Sequence, residues 1–535
     1  MKKRYGSRSL RHEHKKQLEQ SEEIEEFEEL EVNEDLEIPA EETGFYSRRH
    51  KSEASFVPTR EKSPRLMPAD WLFIGLVSLV LSLSFYAFPI FNLQPTGVQS
   101  QYLYSGMAMQ AGLVPYNDFW GAGGIVFYLI NWLGHFGQTT WLLYLFQMLA
   151  LFMSGVQVYR LISQRTRSRL AARITTGFTL VSIAGLAQGG TAPTLIALPF
   201  ALWALQFLDR YLRQDARDEA FIFFGMSGAL VFVISPIMTI LWLLSCLALL
   251  VFNIQNKRIG RGIYQLLAIL FGLLLVGYTV AFYSLNAQVL YTSIEQSIII
   301  PLTTLGFTDN FWMSLLKALV FLLVFGLAAN FVHGVRNIKS SGQTFIWQLL
   351  LLLGSILVLG FVIFSQVFES SNLLAILPLL LLFVSDTIQD AVDQRQNILQ
   401  DYMKAKLFAP ILALLFVIGA PIVTQTIHQQ VFSEEQQVAQ FVKADTTKED
   451  KVLAIASDKN INLRSQRVGG IDDFPRHYPV RFHQNFDLLF ANAGNKYVVV
   501  QSGQDLSDSV KETLKDSYKK VEVGNVSQFS VYKKK

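Results

Sequence analysis

The sequence predicts a polytopic α-helical membrane protein of about eleven spans, with a small extracytoplasmic α/β domain at its C-terminus. Three observations carry that expectation. The chain of 535 residues is 51% hydrophobic and only 17% charged, where a soluble protein carries about 25%. The shortage is confined to the middle: residues 1–70 and 428–535 are as charged as soluble segments, and residues 71–427 are depleted. Lysine and arginine then alternate along the apolar stretch, abundant in every second loop and scarce in the others.

Residues 1–70 are organised in charge blocks. Lys2, Lys3, Arg4, Arg8, Arg11, Lys15 and Lys16 precede an acidic run from Ser21 to Glu42, and a second basic block from Arg48 to Arg65 leads into the first apolar segment. Blocks of like charge repel and rarely fold alone, so this segment is expected to be a disordered cytoplasmic tail. It is either a solvated tail or a docking segment for a cytoplasmic protein partner. The first apolar segment begins near Trp71, after this polar stretch, and reads as a retained span rather than a cleaved leader. A single cysteine, Cys246, lies in an apolar run and has no partner for an internal disulfide.

Crossing a hydrocarbon core of about 30 Å takes about 20 helical residues. Lipid offers no partner to backbone groups, so such segments must be helices. Segments that meet this length lie at 71–91, 139–162, 174–190, 192–212, 220–236, 238–255, 263–285, 311–335, 345–367, 372–392 and 407–427. Arg165 to Arg173, Arg210 to Arg217, Lys257 to Arg261, Arg336 with Lys339, and Arg395 with Lys404 and Lys406 all fall on the side of the basic tail. The long loops 92–138 and 286–310 contain no lysine or arginine. By the positive-inside rule, the N-terminus is cytoplasmic and residues 428–535 lie outside. The composition fits the plasma membrane of a bacterium.

The C-terminal segment reads as a small open sheet. Glu434–Val442 is amphipathic. Lys451–Ser457 and Lys496–Ser502 are short apolar runs between turn signals, as buried strands are. Leu506–Tyr518 has helical spacing with Ser507 as its cap. The terminal QFSVYKKK is expected to form an edge strand.

The loop 92–138 carries the residues of most chemical interest. Asp118 is its one acidic residue, flanked by Tyr116, Asn117, Phe119 and Trp120. A carboxylate near a membrane surface is a functional candidate, suited to act as general base on an acceptor hydroxyl. It is equally suited to cap the helix expected at Ile125–Leu133, or to bond local backbone amides. Glu295 and Asp309 flank the second long loop, and either could supply a carboxylate if that loop folds over the first. Arg464, Arg467, Arg476, His477, Arg481 and His483 cluster in the C-terminal domain, where arginine forks would suit a phosphate or pair with Asp472 and Asp473. The sequence has no P-loop, no dinucleotide fingerprint and no metalloprotease or serine-hydrolase motif. Asn131, His135 and Gln138 are too scattered for a metal site.

The layout of one span, a long first outer loop containing Gly112, Pro115, Tyr116, Asp118, Phe119 and Trp120, a surface helix, many further spans and a last outer α/β domain resembles the GT-C superfamily of membrane glycosyltransferases. Within it, the resemblance is to the protein mannosyltransferase-like and aminoarabinose transferase-like branch. It implies transfer of a sugar from a polyprenyl-phosphate carrier, the donor substrate, to a cell-envelope acceptor on the outer face, in contact with membrane lipid and without nucleic acid. It places Asp118 at a family position, with Glu295 and Asp309 as further catalytic candidates. Tyr116, Asn117, Trp120, Arg476, His477 and Arg481 are then candidates for substrate binding. Two departures stand out. Asn92–Gln101, where the family carries an acidic residue, has none, and Gly121, Ala122, Gly123 and Gly124 replace the family's basic residue after the motif. The alternative is therefore a catalytically degenerate relative that acts as scaffold or regulator of envelope synthesis.

Overall fold

The computed structural model describes residues 66–535 except 214–217, 309, 337, 339–344 and 394–407. The expectations for the tail before residue 66 and for Asp309 lie outside the described residues.

Each apolar segment is helical. The helices are α1 (Pro68–Ser82), α2 (Val98–Gln110), α3 (Ile125–Gly134), α4 (Trp141–Thr166), α5 (Arg169–Ala187), α6 (Pro193–Arg213), α7 (Ala220–Ile234), α8 (Ile240–Gln255) and α9 (Ile259–Asn286). A helical stretch with a π-turn at Glu295–Ile299 follows. Then come α10 (Phe311–Val324), α11 (Leu327–Arg336), α12 (Phe345–Phe364), α13 (Ile376–Asp393) and α14 (Phe408–Ile427). Among the described residues, seven helices are long and apolar enough to cross a membrane, or up to nine if each of two bent pairs is one span. The fold is that of a membrane protein.

Three segments differ from their expected form. α1 stops at Ser82, short of the expected 71–91. The hydroxyls of Ser82 and Ser84 turn back onto the carbonyls of Leu79 and Leu81, a competition with helical bonding that serine favours. The amide of Tyr86 then donates to the carbonyl of Gly189 instead, at 2.8 Å. α7 ends before Pro236, which has no N–H to continue it. The expected span 311–335 bends by 76° between α10 and α11, where Gly326 takes a φ of +70°.

Within the bundle, α7 and α9 approach through glycine. A Cβ on Gly225 would meet the carbonyl of Ile269, and one on Gly272 the carbonyl of Ile222. Small residues that let backbones touch are the usual membrane helix contact. At the end of the bundle that carries the basic loops, Arg165 on α4 bonds Asp209 on α6 at 2.7 Å and Asp386 on α13 at 2.6 Å.

The C-terminal domain opens with α15 (Gln429–Ala444), bent 66° from α14. Phe432, Val438, Ala439 and Val442 on α15 are buried. β1 (Lys451–Ile455), α16 (Asn460–Ser465), α17 (Val480–Phe490), β2 (Asn495–Gln501), α18 (Asp508–Ser517), β3 (Tyr518–Val521) and β4 (Phe529–Lys534) follow. The sheet order is β1-β2-β4-β3, with β1 and β2 parallel and the other pairs antiparallel. Ser507 caps α18, its hydroxyl accepting from the amide of Val510. The C-terminal strand is a correction: it was expected at the edge, and it lies inside the sheet. β3, of which only Tyr518 was read as the end of the preceding helix, takes the edge position. Its Tyr-Lys-Lys-Val pattern buries Tyr518 and exposes Lys519 and Lys520, which suits an edge guarded by lysine.

Candidate functional site

The long loop 92–138 is mostly helical. α3 matches the expected surface helix, whereas α2 carried no sequence signal. Gln99, Ser100, Gln101 and Ser105 on α2 are all buried, so the apolar period of a surface helix is absent. The reason is that α2 lies between the bundle and the C-terminal domain and buries polar residues against both. Gln99 donates to the carbonyl of Ala187 at 3.1 Å. Gln101 donates to Asp472 at 2.9 Å, and Gly469 donates its amide to the Tyr104 hydroxyl at 3.1 Å. Behind Gln101, Lys459 bonds both Asp472 and Asp473. Burial disfavours the Lys459 ammonium, but the two carboxylates outweigh it and raise its pKa. Burial raises Asp472 to about 6 despite the lysine.

The residues of the Pro115–Trp120 motif form a tight turn that ties three parts of the chain together. Tyr116 has a φ of +67° and donates its hydroxyl to the Gly123 carbonyl at 2.7 Å. Asp118 accepts from the Val114 amide at 2.7 Å, the local backbone bond that was one of its two readings. The second outer loop does fold over this turn. Gln296 donates to the Tyr116 carbonyl at 2.7 Å and accepts from the Gly121 amide at 3.1 Å. Thr292 donates to Asn117 at 3.3 Å. Glu295, buried beside Gln296, pairs with Arg481 of the C-terminal domain. Trp120 meets Tyr478 edge-on at 6.2 Å. His477 stacks obliquely on the same tyrosine at 5.2 Å; burial, then the nearby His483, lowers its pKa. Arg476 is exposed. The structure thus brings together Tyr116, Asn117 and Asp118 with the Glu295 loop, and Arg481 with Glu295.

A cavity of about 220 Å³ opens beside the start of α2. Neither Asp118 nor Glu295 lines it. Its wall includes Tyr86, Gly97, Gln99, Gly189, Phe368, Glu369 and Phe416. Gly97, Val98 and Gln99 come from the stretch in which a first-loop carboxylate is missing. Glu369, from the turn between α12 and α13, supplies one instead. It accepts from the Ser371 hydroxyl at 2.7 Å and from the Tyr102 hydroxyl on α2. Burial raises its pKa, against the lowering effect of these two bonds. The residue keeps some surface because it borders the cavity. Gln99 carries an Oε1 with no hydrogen-bond partner. Glu369 is the one carboxylate among the lining residues, and none of them is a lysine or arginine. Sequence reasoning passed over Glu369, although it is the one ionisable residue between Lys339 and Asp386. That isolation within an apolar stretch was the available signal.

Gly189 shapes the wall. Its φ is +88°, and a Cβ would press into the Tyr86 ring. Gly189→Ala is expected to cost about 1–3 kcal/mol through the left-handed backbone alone and to narrow the cavity; thermal unfolding of the purified variant measures it.

Two family models cover nearly all of the described chain. The family described as "Putative competence-induced protein Ccs4 N-terminal domain" matches residues 59–430. The chain belongs to the Ccs4 family. Its C-terminal domain model matches residues 432–535, so the two Ccs4 domains meet beside the bend between α14 and α15. Comparison with curated protein sequences finds no match. Among solved structures, ArnT from Cupriavidus metallidurans bound to undecaprenyl phosphate superposes with a TM-score of 0.56 at 13% identity, over 87% of this chain and 98% of that one. The same protein in its apo state gives 0.53 at 13% identity over the same shares. The Archaeoglobus fulgidus oligosaccharyltransferase with zinc and sulfate gives 0.45 at 12% identity, over 87% and 73%. The ArnT likeness shows that this Ccs4 chain has the GT-C fold.

Proposed function

We propose that this chain is a membrane glycosyltransferase that moves a sugar from a polyprenyl-phosphate carrier to a cell-envelope acceptor, with Glu369 as the base. The observation that carries the reading is the Glu369 carboxylate, set in a cavity against α2, beside the stretch where a first-loop carboxylate is missing. The fold shared with a protein captured with undecaprenyl phosphate supports the choice of carrier. In the reaction, the acceptor hydroxyl attacks the anomeric carbon, the bond from that carbon to the phosphate oxygen breaks, and polyprenyl phosphate leaves. Glu369 takes the hydroxyl proton. A carboxylate whose pKa is raised by burial is a stronger base, once ionised, than a solvated one. Asp118 and Glu295 support the reading differently from their first role. They hold the turn and the second loop together, with Tyr116, Asn117, Trp120, His477 and Arg481 in the same scaffold. The orientation belongs to the proposal: residues 1–70 face the cytoplasm of a bacterium and residues 428–535 the outside.

One observation favours the second reading, a lipid-binding scaffold: no lysine or arginine lines the cavity to meet the departing phosphate. The two readings part on Glu369→Gln. Cells producing this variant are expected to match cells lacking the chain, with the product sugar lost from the envelope and the lipid-linked donor accumulated. Transfer in isolated membranes should fall about 10²-fold or more. Wild-type sugars with the variant present in the membrane would leave the scaffold reading. In the wild type the base must be ionised, so the rate should rise with pH, through a midpoint above the ordinary carboxylate value of 4.5.

A further inference from the structure

We infer that Lys317 holds the phosphate of the lipid carrier, on the membrane-facing flank of the cavity and outside it. The inference rests on the transferase reading and names the subsite that the cavity wall lacks. Lys317 lies on α10, one helical turn before Phe321. Its neighbours Trp312, Met313 and Leu316 are exposed large apolar residues, as a lipid-facing surface requires. Lys317 itself is exposed and makes no ion pair among the described residues. An ammonium among lipid-facing residues is costly unless something anionic meets it. Its position relative to the cavity is definite. The ammonium sits 5.9 Å from the centre of the Phe368 ring, and Phe368 lines the cavity next to Glu369. One turn along, Phe321 packs on Phe368 at 5.9 Å and on Phe416 at 5.2 Å. Lys317 and the cavity are therefore two faces of one phenylalanine wall.

The chemistry divides accordingly. Inside the wall, the Glu369 carboxylate accepts hydrogen bonds, which suits sugar hydroxyls and repels a phosphate. Outside it, a lone ammonium faces the lipid, which suits a phosphate carried on a polyprenyl chain. A carrier reaching the site from the bilayer keeps its tail in lipid and its phosphate at Lys317, and turns only its sugar past Phe368.

The test uses the full chain in phosphatidylcholine nanodiscs, with undecaprenyl phosphate as the probe and bound lipid counted by native mass spectrometry. Lys317→Gln should weaken retention about tenfold, the loss expected for one charge-assisted bond. Lys317→Arg should recover most of it. Lys443→Gln, on α15 of the C-terminal domain, should bind as wild type does and controls for net charge. Phosphatidylglycerol should compete poorly. The inference is overturned if the wild type retains no probe, if Lys317→Gln retains as much as wild type, or if phosphatidylglycerol displaces the probe at equal concentration, which marks a generic anionic-lipid contact. Glu369→Gln should still bind the probe. Binding through Lys317 in a chain that transfers no sugar would therefore count against the transferase reading and leave this site in place.

Discussion

Lys459→Met is expected to destabilise the chain by about 3–5 kcal/mol and to loosen the C-terminal domain from α2. Removing one member of a buried ion cluster leaves the others without compensation, and that cost exceeds what the intact cluster contributes. Lys459 is the cation for Asp472, which is buried, and for Asp473, bonded at 2.7 Å. The same site joins the two parts of the molecule, since Gln101 on α2 donates to Asp472 and the Lys459 amide donates to the Ser100 hydroxyl at 3.0 Å. Loss of the lysine should make the segment around α15 more sensitive to protease than in wild type, and lower the unfolding temperature. Adding Asp472→Asn should return part of the loss, because contacting residues are not additive. If the single variant unfolds and resists protease as wild type does, the cluster does not fasten the domain.

The second large effect is expected at the opposite end of the bundle. Arg165→Met should cost about 3 kcal/mol or more, measured as unfolding in detergent. Arg165 reaches from α4 to Asp209 on α6, to Asp386 on α13 and to the Leu382 carbonyl at 3.0 Å. None of those three helices lines the cavity. The variant should therefore lose stability while the surviving folded fraction keeps its lipid retention through Lys317. Equal stability of the variant and wild type would show that apolar packing alone fixes these helices.

Much of the molecule is written in local pattern. Runs of apolar residues specify helices because lipid leaves a backbone no other way to satisfy its polar groups, and every apolar segment is helical in the structure. Ser507 and the strands at 451 and 496 were legible for the same kind of reason: a cap and a short apolar run act within a few residues. α2 and β3 were not legible, because each is decided by what lies beside it. α2 is polar and buried at once, a combination that only a second surface over it explains. β3 carries no strand signal of its own, its first residue reading as the end of a helix, until β4 pairs with it.

The same division holds for the site. Asp118 was singled out because a carboxylate among aromatics near a membrane surface is conspicuous in sequence. The fold gives it the amide of Val114 and puts Glu369, some 250 residues away in the chain, at the cavity.

The sequence by itself determined that the chain is a bundle of apolar helices ending in a small sheet, since burial of apolar surface and satisfaction of the backbone are local demands repeated at each segment. Only the tertiary structure decided which carboxylate faces the cavity and which lysine flanks it. Those pairings join residues that no spacing relates, and they exist only once the helices have packed.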